Sequence, residues 1–362
     1  MEMLKIHAAL CFLTAFFVCA NSFGAGCGTA WGCRAVCPHG GQAVQVDYTY
    51  TGGVFGNVSG GKTNRSTYMG LAELEFTADT EKLGLWKNGT FFVGSFFSHG
   101  KCITEYVGDY QDPVNFAYNT PAQVAEYWYM HSFLRDRFTV KVGKQDACAT
   151  FFYLDSREDF MNDAFGCPPS SRLRSQPDTA WGITSSVELS SGIVLKAGIQ
   201  DAEGNANTFW MSELKHFYYA AQIEKQYTFG TLPGFAFLGG WYDSSEIDRH
   251  RHGQSHPAKR DYGLNLGLEQ MVWKGCYCPS LKRSLRDVTF SSQFGAFRKD
   301  RNDLSRYWNI GLTCNGLLAF RPDDVVGIGC STVRFSPQFR AAEELRHGYE
   351  SAFECFCKIH VT

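Results

Sequence analysis

Trp181-Gly182-Ile183-Thr184-Ser185-Ser186-Val187-Glu188-Leu189 breaks at Ser190-Ser191-Gly192 and resumes as Ile193-Val194-Leu195-Lys196-Ala197-Gly198-Ile199-Gln200. Successive side chains of an extended strand point to opposite sides. Trp181, Ile183, Val187 and Leu189 therefore share one face, and Gly182, Thr184, Ser186 and Glu188 the other. The same alternation recurs along the chain, at approximately 44–51, 66–78, 90–98, 125–133, 137–146, 180–190, 192–200, 217–229, 234–243, 261–274, 287–298, 305–316, 324–335 and 348–361. That is about fourteen strands, most near the roughly 9–11 residues with which a tilted strand crosses a bilayer.

Several segments assign their faces cleanly. Phe138, Val140 and Val142 oppose Arg137, Thr139 and Lys141; Leu264, Leu266 and Leu268 oppose Asn265, Gly267 and Glu269. Tyr219, Ala221, Ile223 and Tyr227 oppose Gln222, Glu224, Gln226 and Thr228, with Lys225 on the apolar side. Val326, Ile328 and Cys330 against Gly327, Gly329 and Ser331 remain ambiguous. Short links at Asp136, Ser190-Ser191 and Leu232-Pro233 alternate with long polar ones at 101–124, 147–179, 201–216 and 244–260. Alternating short and long connections belong to a transmembrane antiparallel β-barrel, lipid outside and water inside. No repeat of 20–50 residues points to a propeller or solenoid. A large soluble sandwich or β-helix is the competing architecture.

The 362 residues carry a net charge of −2, so composition makes no electrostatic case for nucleic acid. Past residue 30 there is no apolar run of the length a membrane helix needs. Aromatic residues at 15% and 37 glycines suit barrel girdles and bends. Residues 1–20 read as a secretory signal peptide, with Lys5 before an apolar core from Ile6 to Val18 and cleavage near Ala20 or Ala25. Residues 27–43 form a Cys- and Gly-rich periplasmic lead-in, and 44–362 the barrel.

Fourteen cysteines are many for such a chain. Export exposes Cys27, Cys33, Cys37, Cys102, Cys148, Cys167, Cys276, Cys278, Cys314, Cys330, Cys355 and Cys357 to an oxidising compartment, where disulfides form. The spacing matches no paired zinc motif; Cys33-x3-Cys37-x-His39 comes nearest. Spacing does not give the disulfide pairing. Cysteines linking the barrel to other envelope proteins define the alternative function, a cross-linked structural protein or adhesin.

Gly56-Asn57-Val58-Ser59-Gly60-Gly61-Lys62-Thr63 fits the phosphate-loop pattern GxxxxGK[ST]. That chemistry needs a buried strand before the loop and a helix after it. Here the flanks alternate on both sides, so the match reads as a Gly-rich turn. His250, His252 and His256 lie among Arg249, Arg251, Lys259 and Arg260, which reads as a solvated loop rather than a metal site. No GxSxG nucleophile elbow occurs, and the reading is of a non-enzyme without cofactor or metal. Asn57, Asn64 and Asn88 fit the glycosylation sequon, which means little if the source is bacterial.

An ordered set of stretches resembles the OprB-type carbohydrate-selective porins. It comprises Leu83-Gly84-Leu85-Trp86 with Ser98-His99-Gly100, Glu126-Tyr127-Trp128 with Ser132-Phe133-Leu134, and Val142-Gly143-Lys144-Gln145-Asp146. Phe165-Gly166-Cys167-Pro168-Pro169, Leu238-Gly239-Gly240-Trp241-Tyr242, Gln270-Met271-Val272-Trp273, and Arg321-Pro322-Asp323-Asp324 with Arg334-Phe335-Ser336 follow. The resemblance implies a bacterial outer-membrane barrel of sixteen strands and a passive channel for sugars or other small hydrophilic solutes. The chain departs from the family in its many cysteines and in ending at His360-Val361-Thr362, which predicts that the last pair of strands is missing. Parity nominates lumen residues: Glu73, Glu75, Glu126, Trp128 and Lys141, then Glu188, Lys196, Glu224 and Glu269. Asp47, Lys144 and Asp146 sit near strand ends and are added as candidates for a constriction.

Overall fold

A computed structural model describes residues 42–361, apart from 117, 119, 170–171, 212–214, 252–253, 276, 279–282, 285 and 319–320, and apart from the side chains of 247–259 and 276–285. The proposed signal, the lead-in to residue 41 and the His250, His252 and His256 side chains lie outside the described residues.

Every alternating segment is a strand: β1 Val44–Gly56, β2 Ser66–Asp79, β3 Gly89–Gly100, β4 Ala122–Phe133, β5 Phe138–Gln145, β6 Ala180–Ser190, β7 Ile193–Asp201, β8 Phe217–Phe229, β9 Leu232–Arg251 and β10 Gln254–Lys274. After a two-residue pair, β11 Tyr277–Cys278 and β12 Arg283–Ser284, come β13 Asp287–Phe297, β14 Leu304–Asn315, β15 Val325–Phe335 and β16 Tyr349–Lys358. All but β11 and β12 join one 14-stranded sheet in chain order, each strand antiparallel to the next. The order is linear, so β1 and β16 each pair on one side only among the described residues.

Burial along the strands is inverted relative to a water-soluble protein. On β10 the outward Leu264 and Leu266 are 59% and 45% exposed, while the inward Asn265 and Glu269 are each 2% exposed. Ile223, Leu238, Trp308, Leu312 and Ile328 are likewise exposed, and Gln222, Glu224, Gln293, Asn309 and Ser331 buried. An apolar exterior around a polar interior is stable only with lipid outside. Lys225 stands on the apolar face at its short-turn end, where Nζ donates to the Ser191 carbonyl oxygen at 3.3 Å.

The connections sort by rim. Left-handed Gly192 (φ 74°) and Gly230 (φ 65°) make tight turns at one end. The segments 101–121, 146–179 and 202–216 lie at the other. One expected loop is not a loop: β9 continues to Arg251 and β10 starts at Gln254, pairing Ile247 with Ala258 and Arg251 with Gln254. Its sequence is almost wholly polar, so no apolar alternation marks it as strand. The Gly56–Thr63 stretch connects β1 to β2 with no helix after it, and the Lys62 and Thr63 amides donate to the Tyr106 carbonyl oxygen.

Replacing Leu266 by Arg places a charge on the outward face near mid-strand. The expected cost is about 2–4 kcal/mol, read by denaturant unfolding from liposomes, whereas Leu266→Met should be near neutral.

Candidate functional site

The interior is occupied by segment 146–179, which leaves β5, turns through two short 3-10 helices (Asp155–Asp159 and Asp163–Phe165) and returns to β6. Such irregular backbone satisfies only some of its own amide groups, and a buried unpaired N–H costs about 1–3 kcal/mol. The strand walls supply the acceptors. Glu269 of β10 takes the Asp155 and Ser156 amides at 3.1 and 2.9 Å. Glu354 of β16 takes those of Met161 and Asn162 at 2.8 and 2.9 Å. Glu350, also on β16, takes those of Tyr110 and Gln111 at 3.0 and 2.8 Å, from the neighbouring long loop. Gln222 accepts from the Phe152 amide at 2.7 Å, Gln293 donates to the Phe152 carbonyl oxygen at 2.7 Å, and Tyr307 and Asn309 both donate to the Ala164 carbonyl oxygen.

Apolar contacts complete the docking. Phe151, Phe152 and Leu154 pack against Tyr218, Phe235, Phe237, Trp241 and Tyr307 in one buried cluster. Inward glycines make room for them: a Cβ on Gly239 would stand 2.6 Å from the Phe152 ring, and one on Gly329 2.6 Å from Phe165 and 2.7 Å from Phe160. These glycines sit on the polar half of the alternation because they are contact surfaces for the loop. The interior is therefore polar at its walls but aromatic where the loop lies.

The sequence-selected residues fall into separate groups. Lys141, Trp128, Lys196 and Glu224 gather around Thr150. Lys141 Nζ donates to Thr150 Oγ1 at 3.1 Å and lies 5.3 Å from the Trp128 ring centre. Lys196 Nζ reaches Glu224 Oε1 at 2.6 Å and the Thr150 carbonyl oxygen at 3.2 Å. Glu126 and Asp146 meet at the neck of the loop: Glu126 accepts the Asp146 amide at 3.0 Å. Asp146 in turn accepts from the Cys148 amide at 2.7 Å and Ser175 Oγ at 3.2 Å. Glu269 is the double amide acceptor described above.

Asp47 pairs across strands with Glu75, and Thr49 with Glu73, making an acidic patch on the inner face of β1 and β2. Glu188 is exposed at the short-turn rim. Lys144 departs from the group. It stands on the outward parity with Val142, beneath segment 202–216, and its Nζ donates to the Thr208 carbonyl oxygen at 2.7 Å. Phe209 stacks on Tyr127 and Trp210 tilts against Trp181 in the same flap.

Two residues that parity could not nominate line a polar cavity of about 430 Å³ at the long-loop end: Arg172 and Arg174, with Asp178, Ser175, Gln176, Asn302 and Asp303 around them. At ~30 Å³ per liquid water this is room for on the order of ten waters. Arg172 Nε donates to Asp261 at 3.0 Å, and Arg174 lies 3.7 Å from Asp243. Both aspartates are fully buried and face each other across β9 and β10. The sequence signal was Arg-x-Arg within a Pro- and Ser-rich stretch, which carries no strand period.

Burial pushes two loop carboxyls up: Asp163 to about 7, with Asp112 adding repulsion, and Asp109 to about 7, with Asp112 and Glu350 adding theirs. Asp109 Oδ1 is buried with no hydrogen-bond partner among the described residues.

The model of the carbohydrate-selective porin family OprB matches residues 63–362. Among solved structures, a high-pH structure of Pseudomonas putida OprB matches with TM-score 0.74 at 18% identity, covering 84% of this chain and 78% of that one. A low-pH structure of the same protein matches with TM-score 0.54 at 16% identity, covering 88% and 84%. No curated protein matches in sequence. At these identities the structures establish a shared fold.

Glu354→Ala removes the acceptor of two consecutive amides. Hydrogen exchange across residues 158–166 should accelerate while the β13 and β14 amides stay protected. The raised carboxyls set a pH dependence. An unfolded Asp titrates near 3.9, so between about pH 4 and pH 7 the docked loop holds protons that the undocked loop does not. Docking therefore weakens as pH rises through 7 and is strongest on the acid side. Exchange of 155–167, corrected for intrinsic rate, should be slower at pH 5.5 than at pH 8, and Asp163→Asn should flatten the difference.

Proposed function

This chain belongs to the OprB family of carbohydrate-selective porins, and we propose that it is a passive, sugar-preferring diffusion channel narrowed by the inward segment 146–179. The porin assignment places it in the bacterial outer membrane; export through the N-terminal signal belongs to the proposal. The observation that carries the reading is the inverted burial of the strands combined with the arginine-lined cavity at the long-loop mouth.

The chemistry fits a sugar. Hydroxyl groups ask for donors and acceptors side by side, and Arg172 and Arg174 offer fixed guanidinium donors beside Asp178, Asn302 and Asp303. Pinning by Asp243 and Asp261 holds the arginines in place without a cost of ordering on each encounter. Uncharged solutes bind there weakly, and a channel needs weak binding: strong enough to recruit, loose enough to release. The wall groups Lys141, Lys196, Glu224 and Glu269 act mainly through the loop they hold, setting the bore rather than touching solute. The acidic patch of Asp47, Glu73 and Glu75 hydrates the inner face of β1 and β2.

In planar bilayers the purified protein should give steady single-channel currents that fall as mono- and disaccharides are added. Arg172→Gln should retain conductance but need roughly tenfold more sugar for half-block, equivalent to about 1.4 kcal/mol. Folded protein that conducts no ions and passes no sugar in liposome swelling would overturn the reading.

A further inference from the structure

The first part of the inward loop folds back on itself, bringing Cys167 to Cys148. Cys148, its amide bound to Asp146, stands two residues past the neck formed by Asp146 and Glu126. Cys167 follows the second 3-10 helix and its Gly166 cap. The Cys167 thiol lies within hydrogen-bonding reach of the Cys148 thiol; both are free thiols in this structure and partly buried. The residues between them hold the loop's principal anchors to the strand walls, from Thr150 and Phe152 through Ser156 to Ala164. The other described cysteines are placed differently: Cys314, Cys330, Cys355 and Cys357 stand on the outward parity of β14 to β16, and Cys102 follows β3.

We propose that Cys148 and Cys167 form a disulfide that staples the part of the constriction loop between them. An outer-membrane protein matures in a compartment where disulfides persist. The reaction is thiol–disulfide exchange with a disulfide-bearing oxidant, either an exported thiol oxidoreductase or a small-molecule disulfide. The Cys148 thiolate attacks one sulfur of the oxidant, breaking its S–S bond and releasing one of its thiols. The Cys167 thiolate then displaces the second oxidant sulfur from the mixed disulfide. The chain loses two protons and two electrons, and the oxidant gains both as two thiols. The closed loop restricts the undocked ensemble of 149–166, so the bore keeps its width when individual wall contacts open. The inference does not depend on what the channel passes, because the linkage is read by mass.

Full-length protein extracted from the envelope in N-ethylmaleimide and digested without reductant should yield the Cys148 and Cys167 peptides joined, two hydrogens lighter than the separate thiols. Reductant should release both for labelling. A second readout uses Arg157, which is buried inside the stapled loop. Tryptic cleavage there should run roughly tenfold faster after reduction or in Cys148→Ser, since cutting requires the loop to open. The proposal falls if both cysteines remain maleimide-reactive after the folded protein is incubated with oxidised glutathione, or if either is joined to a different cysteine. It also falls if cleavage at Arg157 is equally fast with and without reductant.

Discussion

Three glutamates each accept two consecutive backbone amides, and the interior of this protein depends on that interaction. Glu269 holds Asp155 and Ser156, Glu354 holds Met161 and Asn162, and Glu350 holds Tyr110 and Gln111. Charged acceptors make the stronger hydrogen bonds, and a carboxylate has enough lone pairs for neighbouring donors. A strand wall presents such groups at fixed height and spacing. Irregular chain inside a barrel is tolerable only when its polar groups are met by protein or water. The wall charges are thus engaged by the loop, and the loop presents its own charges, Arg172 and Arg174, at the long-loop end.

Most of the frame was legible in the sequence because a bilayer imposes a simple rule on every strand. Leu264, Leu266 and Leu268 had to face away from Asn265, Gly267 and Glu269, and they do. The rule stops where the bilayer stops. Residues 244–251 are polar in sequence at every position but Ile247, so no apolar alternation revealed their strand character. The phosphate-loop match at Gly56–Thr63 was readable as a turn because its flanks kept the strand period.

The interior was only half legible. Period two identifies inward residues without saying what they meet. Gly239 and Gly329 looked merely neutral, yet they are the floor on which Phe152, Phe160 and Phe165 rest. Lys144 was selected for its charge near a strand end; its parity with Val142 puts it on the outside, under a flap whose aromatic residues, Phe209 and Trp210, no alternation could assign. Arg172 and Arg174 lie in irregular chain, where spacing carries no directional information.

The anchors of segment 146–179 also set an order of events. Its partners lie far along the chain, on β8, β10, β13, β14 and, 193 residues from Met161, on Glu354 of β16. The Glu354 contact cannot form until β16 stands in the sheet, and contacts so distant in sequence are slow to close. Complete docking of the segment therefore waits on every strand that receives it. Met161 and Asn162 are tied down only once β16 has joined the wall.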